Sequence, residues 1–178
     1  MAMQRASVLD RNATVYHYQL VRKLPVHQEM MISYGIIALL LLGFQYGFYG
    51  QLGMLHWAVG LPAIAFVQWI ILRLTMYRVD EGDDRRWGWR YRLPWIGYLP
   101  IQMVELGQFR RLHRHLIWLG LCTIALSYPW VPESLLLSLI CWHVWLLAPR
   151  LLILSRLRKA RRDGVLRLDN YEVLFYHR

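Results

Sequence analysis

The sequence predicts an all-α membrane protein: four transmembrane helices arranged as two tandem helical hairpins, with amphipathic cytoplasmic segments. Three observations lead there. The 178 residues are 57% hydrophobic and include nine Trp, richer than the roughly 45–50% apolar content of a soluble domain. Several apolar runs approach the length of about 20 residues that covers roughly 30 Å of hydrocarbon. Lys and Arg are segregated between those runs, which sets an orientation.

Residues 1–29 form a basic, amphipathic cytoplasmic segment without the short apolar core and small-residue cleavage site of a signal peptide. The first expected hairpin occupies residues 30–75. Met30–Tyr49 carries no charge, Leu55–Thr75 carries only Arg73 near its end, and Gly50–Met54 makes the turn. Residues 76–115 are read as a cytoplasmic interfacial loop. The second hairpin, residues 116–154, is weaker: Leu116–Val131 is short for a span and Ser134–Leu154 contains Arg150. Residues 155–178 are a basic cytoplasmic tail. Of the 21 Lys and Arg, four lie in 1–29, eight in 76–115, eight in 150–178 and one at Arg73, while the turns at 50–54 and 131–133 have none. Both termini and the central loop are therefore expected on the cytoplasmic side of a cell inner membrane.

Two near-matches suggest an internal repeat. A shift of 88 places VRKLPVH (Val21–His27) on FRRLHRH (Phe109–His115), and a shift of 87 places HWAVGLP (His56–Pro62) on HVWLLAP (His143–Pro149). The reading is a parallel repeat with Pro62 and Pro149 kinking equivalent spans.

In the central loop, RRWGWRYR (Arg85–Arg92) alternates aromatic and basic residues. Such residues suit the headgroup zone, so Arg85, Arg86, Trp87, Trp89 and Arg90 are expected on the inner leaflet, with Arg110 and Arg111 at the end of the loop. The C-terminal GVLRLDNYEVLFYHR has short β-type runs on either side of Asp169–Asn170, suited to a small hairpin or to a strand that docks on a partner.

Candidate chemistry is sparse. His27 and His115 sit at inner span ends and His56 and His143 further out, one per expected helix, a layout that would suit bis-His ligation of haem b. Against it, His56 falls at the outer interface and the inner pair is flanked by basic residues, where a plain interfacial imidazole suffices. His113-x-His115 does not share a helix face, so no metal site is expected. Arg73 and Arg150 are intramembrane polar residues close enough to the cytoplasmic end to snorkel. Cys122 and Cys141 fall inside expected spans and imply no disulfide framework. No G-x-S-x-G, H-E-x-x-H or P-loop is present. The net charge of +10 follows from topology beside anionic lipid, so nucleic acid is not an expected partner. The stretch RKLPVHQE (Arg22–Glu29) resembles the cytosolic entry of some ABC-type export permeases, which implies a separate ATPase meeting Leu24-Pro25; the chain lacks the six spans usual there.

The expected function is non-enzymatic: a membrane subunit or scaffold of a larger inner-membrane complex. Its basic face, through Arg22, Lys23, Leu24, Pro25 and the arginines named above, would bind anionic lipid and a partner protein. The alternatives are a transporter membrane subunit and a di-haem cytochrome subunit.

Overall fold

The computed structural model describes residues 19–79, 87–158, 164–169 and 171–177. Nine elements follow one another: β1 (Gln19–Pro25), α1 (Gln28–Val79), β2 (Trp87–Arg92), β3 (Trp95–Pro100), β4 (Val104–Glu105), α2 (Leu106–Ser127), α3 (Glu133–Arg156), β5 (Val165–Leu168) and β6 (Glu172–His177).

Helix α1 does not run straight. Gly50 adopts φ 60°, ψ −141°, a conformation that costs a residue without Cβ little. The chain folds back there, so that Gln45 before the break and His56 after it both reach Ser134. The reversal is tight: a Cβ on Gly53 would lie 2.3 Å from the Gln45 carbonyl oxygen. Pro62 and Pro149 are both accommodated inside helices.

Four strands make an antiparallel sheet in the order β1-β6-β5-β4, and β2 with β3 makes a separate hairpin. Because β1 leads into α1, β4 leads into α2, and β5 follows α3, the larger sheet gathers the helix ends at one pole of the molecule. The Gly50 reversal and the Tyr128–Pro132 connection mark the other pole. Backbone hydrogen bonds tie the junctions, from Val26 N to Tyr171 O (2.8 Å) and from Leu106 N to Gly164 O (2.8 Å). Leu99, Leu106, Phe109, Leu116, Leu157 and Leu166 are fully buried in a core between sheet and helices. A second core lies in the helical body, built on Tyr34, Trp57, Ile64, Trp142, Trp145 and Leu146.

This overturns the expected all-α class of four transmembrane helices in tandem hairpins. The chain is mixed helix and sheet, because segments read as amphipathic approaches are strands. Only two of the described helices, α1 and α3, are long and apolar enough to cross a membrane. Helix α2 has the length, but its first half carries Arg110, Arg111, His113, Arg114 and His115, so the multi-pass reading built on four spans falls as well. The internal repeat fails too. VRKLPVH lies largely in strand β1 and FRRLHRH in helix α2. His56 hydrogen-bonds Ser134 near the reversal, whereas its supposed equivalent His143 faces Gln68 much further along. The C-terminal hairpin does form, with Val165–Leu168 paired to Glu172–His177.

Candidate functional site: the polar seam and the basic pole

Polar side chains in the helical body point inward. Ser134, Ser138, Trp142 and Trp145 recur at helical spacing along α3 and meet α1. Gln45 Nε2 donates to Ser134 O (3.0 Å) and Ser138 Oγ (2.5 Å), and Ser138 Oγ donates to Ser134 O (2.9 Å). The Nδ1 of His56 lies 2.6 Å from Ser134 Oγ. Trp142 Nε1 donates to Trp57 O (2.8 Å), while Tyr34 and Trp145 exchange bonds of 2.7 and 3.0 Å with each other's carbonyls. The Tyr34 and Trp145 rings stack at 3.9 Å. Further along, Gln68 Nε2 donates to His143 Nδ1 over 3.1 Å, which leaves the imidazole proton on Nε2.

Small residues allow this closeness. The His143 ring packs directly on Gly120 of α2, where a Cβ would lie 2.2 Å from Cε1. Gly60 meets Ser138 and Trp142 in the same way. Serines, glycines and amides at helix contacts are the means by which helices associate where apolar burial gives no driving force.

The outer face of the body is the reverse. Leu39 and Leu40 are 68% exposed and Phe48 is 72% exposed. Ile32, Ile36, Phe44, Leu55, Val59 and Phe66 continue the outward apolar surface along α1.

Arg150 joins body to pole. Its side chain is 1% exposed, and Nη2 donates to Ile96 O of β3 at 2.7 Å. It does not snorkel to solvent as the sequence reading expected, because Gly97 leaves the space: at φ 110° it has no side chain, and a Cβ there would lie 2.7 Å from Nη2. Beside it, His113 is fully buried, and its Nδ1 donates to Phe109 O at 2.8 Å. Burial, with the charge of Arg150 nearby, pushes the His113 imidazole down to about 3, so it stays neutral.

The basic residues at the sheet pole divide into two groups. Arg22 Nη1 donates to Arg156 O (3.4 Å), Arg90 Nη2 to Leu168 O (3.0 Å), and Arg110 Nη2 to Leu157 O. These side chains join elements, Arg90 linking the β2–β3 hairpin to the larger sheet. Partial burial pushes the Arg90 guanidinium down, and Asp169 opposes that shift. Lys23 pairs with Glu172 at 2.5 Å. Trp87 is buried in the core, Trp89 is exposed, and Leu24 packs against the core beside exposed Pro25. Arg111 and Arg114 point to solvent. Arg73 is exposed, and Arg85 and Arg86 lie outside the described residues.

The four histidines named for haem are dispersed. His27 and His115 are exposed, His56 and His143 are separately hydrogen-bonded at different depths. Among the described residues no three of His, Cys, Asp and Glu cluster as metal ligands. Sequence reasoning missed the amides: Gln45 and Gln68 drew no notice, although a lone Gln in each apolar run was the signal. Comparison with protein-family profiles, curated proteins and solved structures returns no match.

Proposed function

We propose that the protein is a non-enzymatic membrane subunit or scaffold. Its apolar helical body sits in a bilayer, and its basic sheet pole meets the anionic cytoplasmic leaflet and a partner protein. The observation that carries this reading is the inversion of the helical body, with amides, serines and imidazole inside and leucine and phenylalanine outside. In water that arrangement would expose many large apolar side chains along α1, such as Ile36, Leu39, Leu40, Phe44 and Phe48, a feature that marks an interaction surface. In hydrocarbon it is the favourable one.

The pole supports the second half of the proposal. Arg111 and Arg114 project from the first turns of α2, and β1, the outermost strand of its sheet, carries Arg22 and Lys23 beside exposed Leu20 and Val21. An outermost strand offers backbone groups to a partner strand.

Flotation of the full chain with phosphatidylcholine vesicles, followed by alkaline carbonate and high-salt washes, tests the first half. The protein is expected to stay with the lipid through both. A chain that is released, or that remains monomeric in buffer without detergent, overturns the reading. For the second half, neutralising Arg111 should weaken partner capture and make what remains less sensitive to salt. Unchanged capture would remove the basic pole from the interface.

A further inference from the structure

A groove of about 490 Å³ runs along the outer side of the helical body between α2 and α3. Its walls are Ile117 and Leu121 from α2, with Val144, Ala148, Leu151 and Ser155 from α3, and the His143 ring contributes to its floor. The volume falls within the usual range of small-molecule sites, and apart from the imidazole and the Ser155 hydroxyl the named lining is hydrocarbon.

The two walls continue into charge. On α2 the stripe Leu121, Ile117 steps back by three residues to Arg114, which is exposed. On α3 the stripe Val144, Ala148, Leu151, Ser155 leads to Arg158, also exposed, whose backbone N–H bonds Ser155 O at 3.1 Å. Neither guanidinium has a hydrogen bond or ion pair to another described residue. Arg110, one turn before Arg114, donates to the carbonyl of Leu157, the residue before Arg158, and so ties the two helix ends together. The groove is thus apolar along its length and cationic at one mouth, on the side where the proposed membrane orientation places the lipid headgroups.

We infer that this groove is a specific site for one anionic phospholipid, an acyl chain lying against Ala148 and Leu151 and the phosphate between Arg114 and Arg158. The inference rests on the membrane reading above and adds to it a defined site. Two guanidinium groups select a phosphate that carries net negative charge over a zwitterionic headgroup, because the choline cation of the latter would oppose them. Ala148 stands in the groove wall between Val144 and Leu151, where a large side chain would fill space that an acyl chain needs, and His143 on the floor connects the groove to the seam through Gln68.

Native mass spectrometry of the detergent-solubilised full chain, titrated with phosphatidylglycerol or phosphatidylcholine, tests it. The expected result is one phosphatidylglycerol retained with roughly tenfold preference over phosphatidylcholine, about 1.4 kcal/mol in binding free energy. The double variant Arg114→Gln/Arg158→Gln should lose the preference, and Ala148→Phe should lose retention of both lipids while keeping wild-type helicity by circular dichroism. Equal adducts in all three proteins would overturn the site, as would a co-purifying helix displaced by Ala148→Phe in place of lipid. Vesicle flotation of the same variants separates the two levels of argument. A wild-type chain that floats but shows no preference rejects the groove alone, whereas a wild-type chain that fails to float rejects the membrane reading and the groove with it.

Discussion

The two ends of the molecule are built on opposite rules. At the sheet pole Leu99, Leu106, Phe109 and Leu166 are wholly buried, and the charges of Arg92, Arg111 and Arg114 face out. In the helical body Gln45, Gln68, Ser138 and His143 are buried, and Leu39, Leu40 and Phe48 face out. Each rule is a statement about solvent: apolar burial stabilises only against water, whereas inward polar contacts stabilise where the surroundings offer no hydrogen bonds. On the proposed membrane reading, one chain obeying both rules is matched to two solvents, and Arg150 sits where the two regions join.

The largest expected effect comes from breaking that junction. Gly97→Val places a branched side chain at φ 110° and drives it into the Arg150 guanidinium. Strain in that backbone region alone costs about 1–3 kcal/mol, and displacing Arg150 strands a buried charge. Thermal unfolding in detergent, followed by near-ultraviolet circular dichroism, should show the sheet pole melting well below wild type. The partner experiment is Arg150→Met, which keeps the stem and removes the charge; it should cost less than Gly97→Val. If both variants melt like wild type, the junction is not structural.

Next come contrasted charge insertions, which sharpen the comparison. Leu40→Lys puts a cation on the outward face of α1 without entering either core. It should leave the detergent-solubilised fold intact yet impair bilayer insertion, at a cost of about 2.5–3.5 kcal/mol on an insertion scale. Leu166→Lys, in the sheet core, should unfold the pole in detergent and leave α1 helical. Reversal of these two outcomes would mean the solvents have been assigned to the wrong ends.

How much of this was legible in the sequence follows the same division. Apolar length exposed the two runs that meet at Gly50, because a charge-free stretch has few alternatives, but the turn expected over 50–54 narrows to Gly50 and residues 51–54 are helical. The sheet pole was misread, although its signal was present. In WGWRYR, Trp87, Trp89 and Tyr91 alternate with Gly88, Arg90 and Arg92, a period of two that marks a strand. The alternation was read as aromatic and basic composition suited to a headgroup zone, and its strand meaning was passed over. The register that carries VRKLPVH into a four-stranded sheet depends on β6, more than 140 residues away, and no local pattern reports it. Arg150 was visible as a charge in an apolar run, but its destination was fixed by Gly97, a residue whose meaning lies only in the space it leaves.

A smaller effect is expected within the seam. Gln68→Leu removes the partner of His143 Nδ1 and leaves the surrounding apolar surface intact. Interhelical hydrogen bonds of this kind contribute about 0.6 kcal/mol on average and up to about 1.7. A drop within that range, read from unfolding by a denaturing detergent, is expected. Gln45→Leu should cost at least as much, since its amide serves both Ser134 and Ser138. If the Gln68 variant matched or exceeded Gly97→Val, the body and not the junction would dominate stability.

The smallest effect at neutral pH belongs to His113, and it grows as the solution is acidified. The folded imidazole is held down to about 3, whereas an unfolded histidine titrates near 6.5. Between those values the unfolded state binds more protons than the folded one, so stability is complete above about pH 6.5 and declines as pH falls. The slope is at most about 1.4 kcal/mol per pH unit. His113→Leu gives up the bond from Nδ1 to Phe109 O but has no proton to gain on unfolding. The wild type should therefore match or exceed the variant at pH 8, and the two should cross as pH falls toward 5. Parallel pH profiles for the two proteins would show that His113 is not held neutral in the core and that water reaches the junction around Arg150, which would erase the sharp boundary between the two solvents.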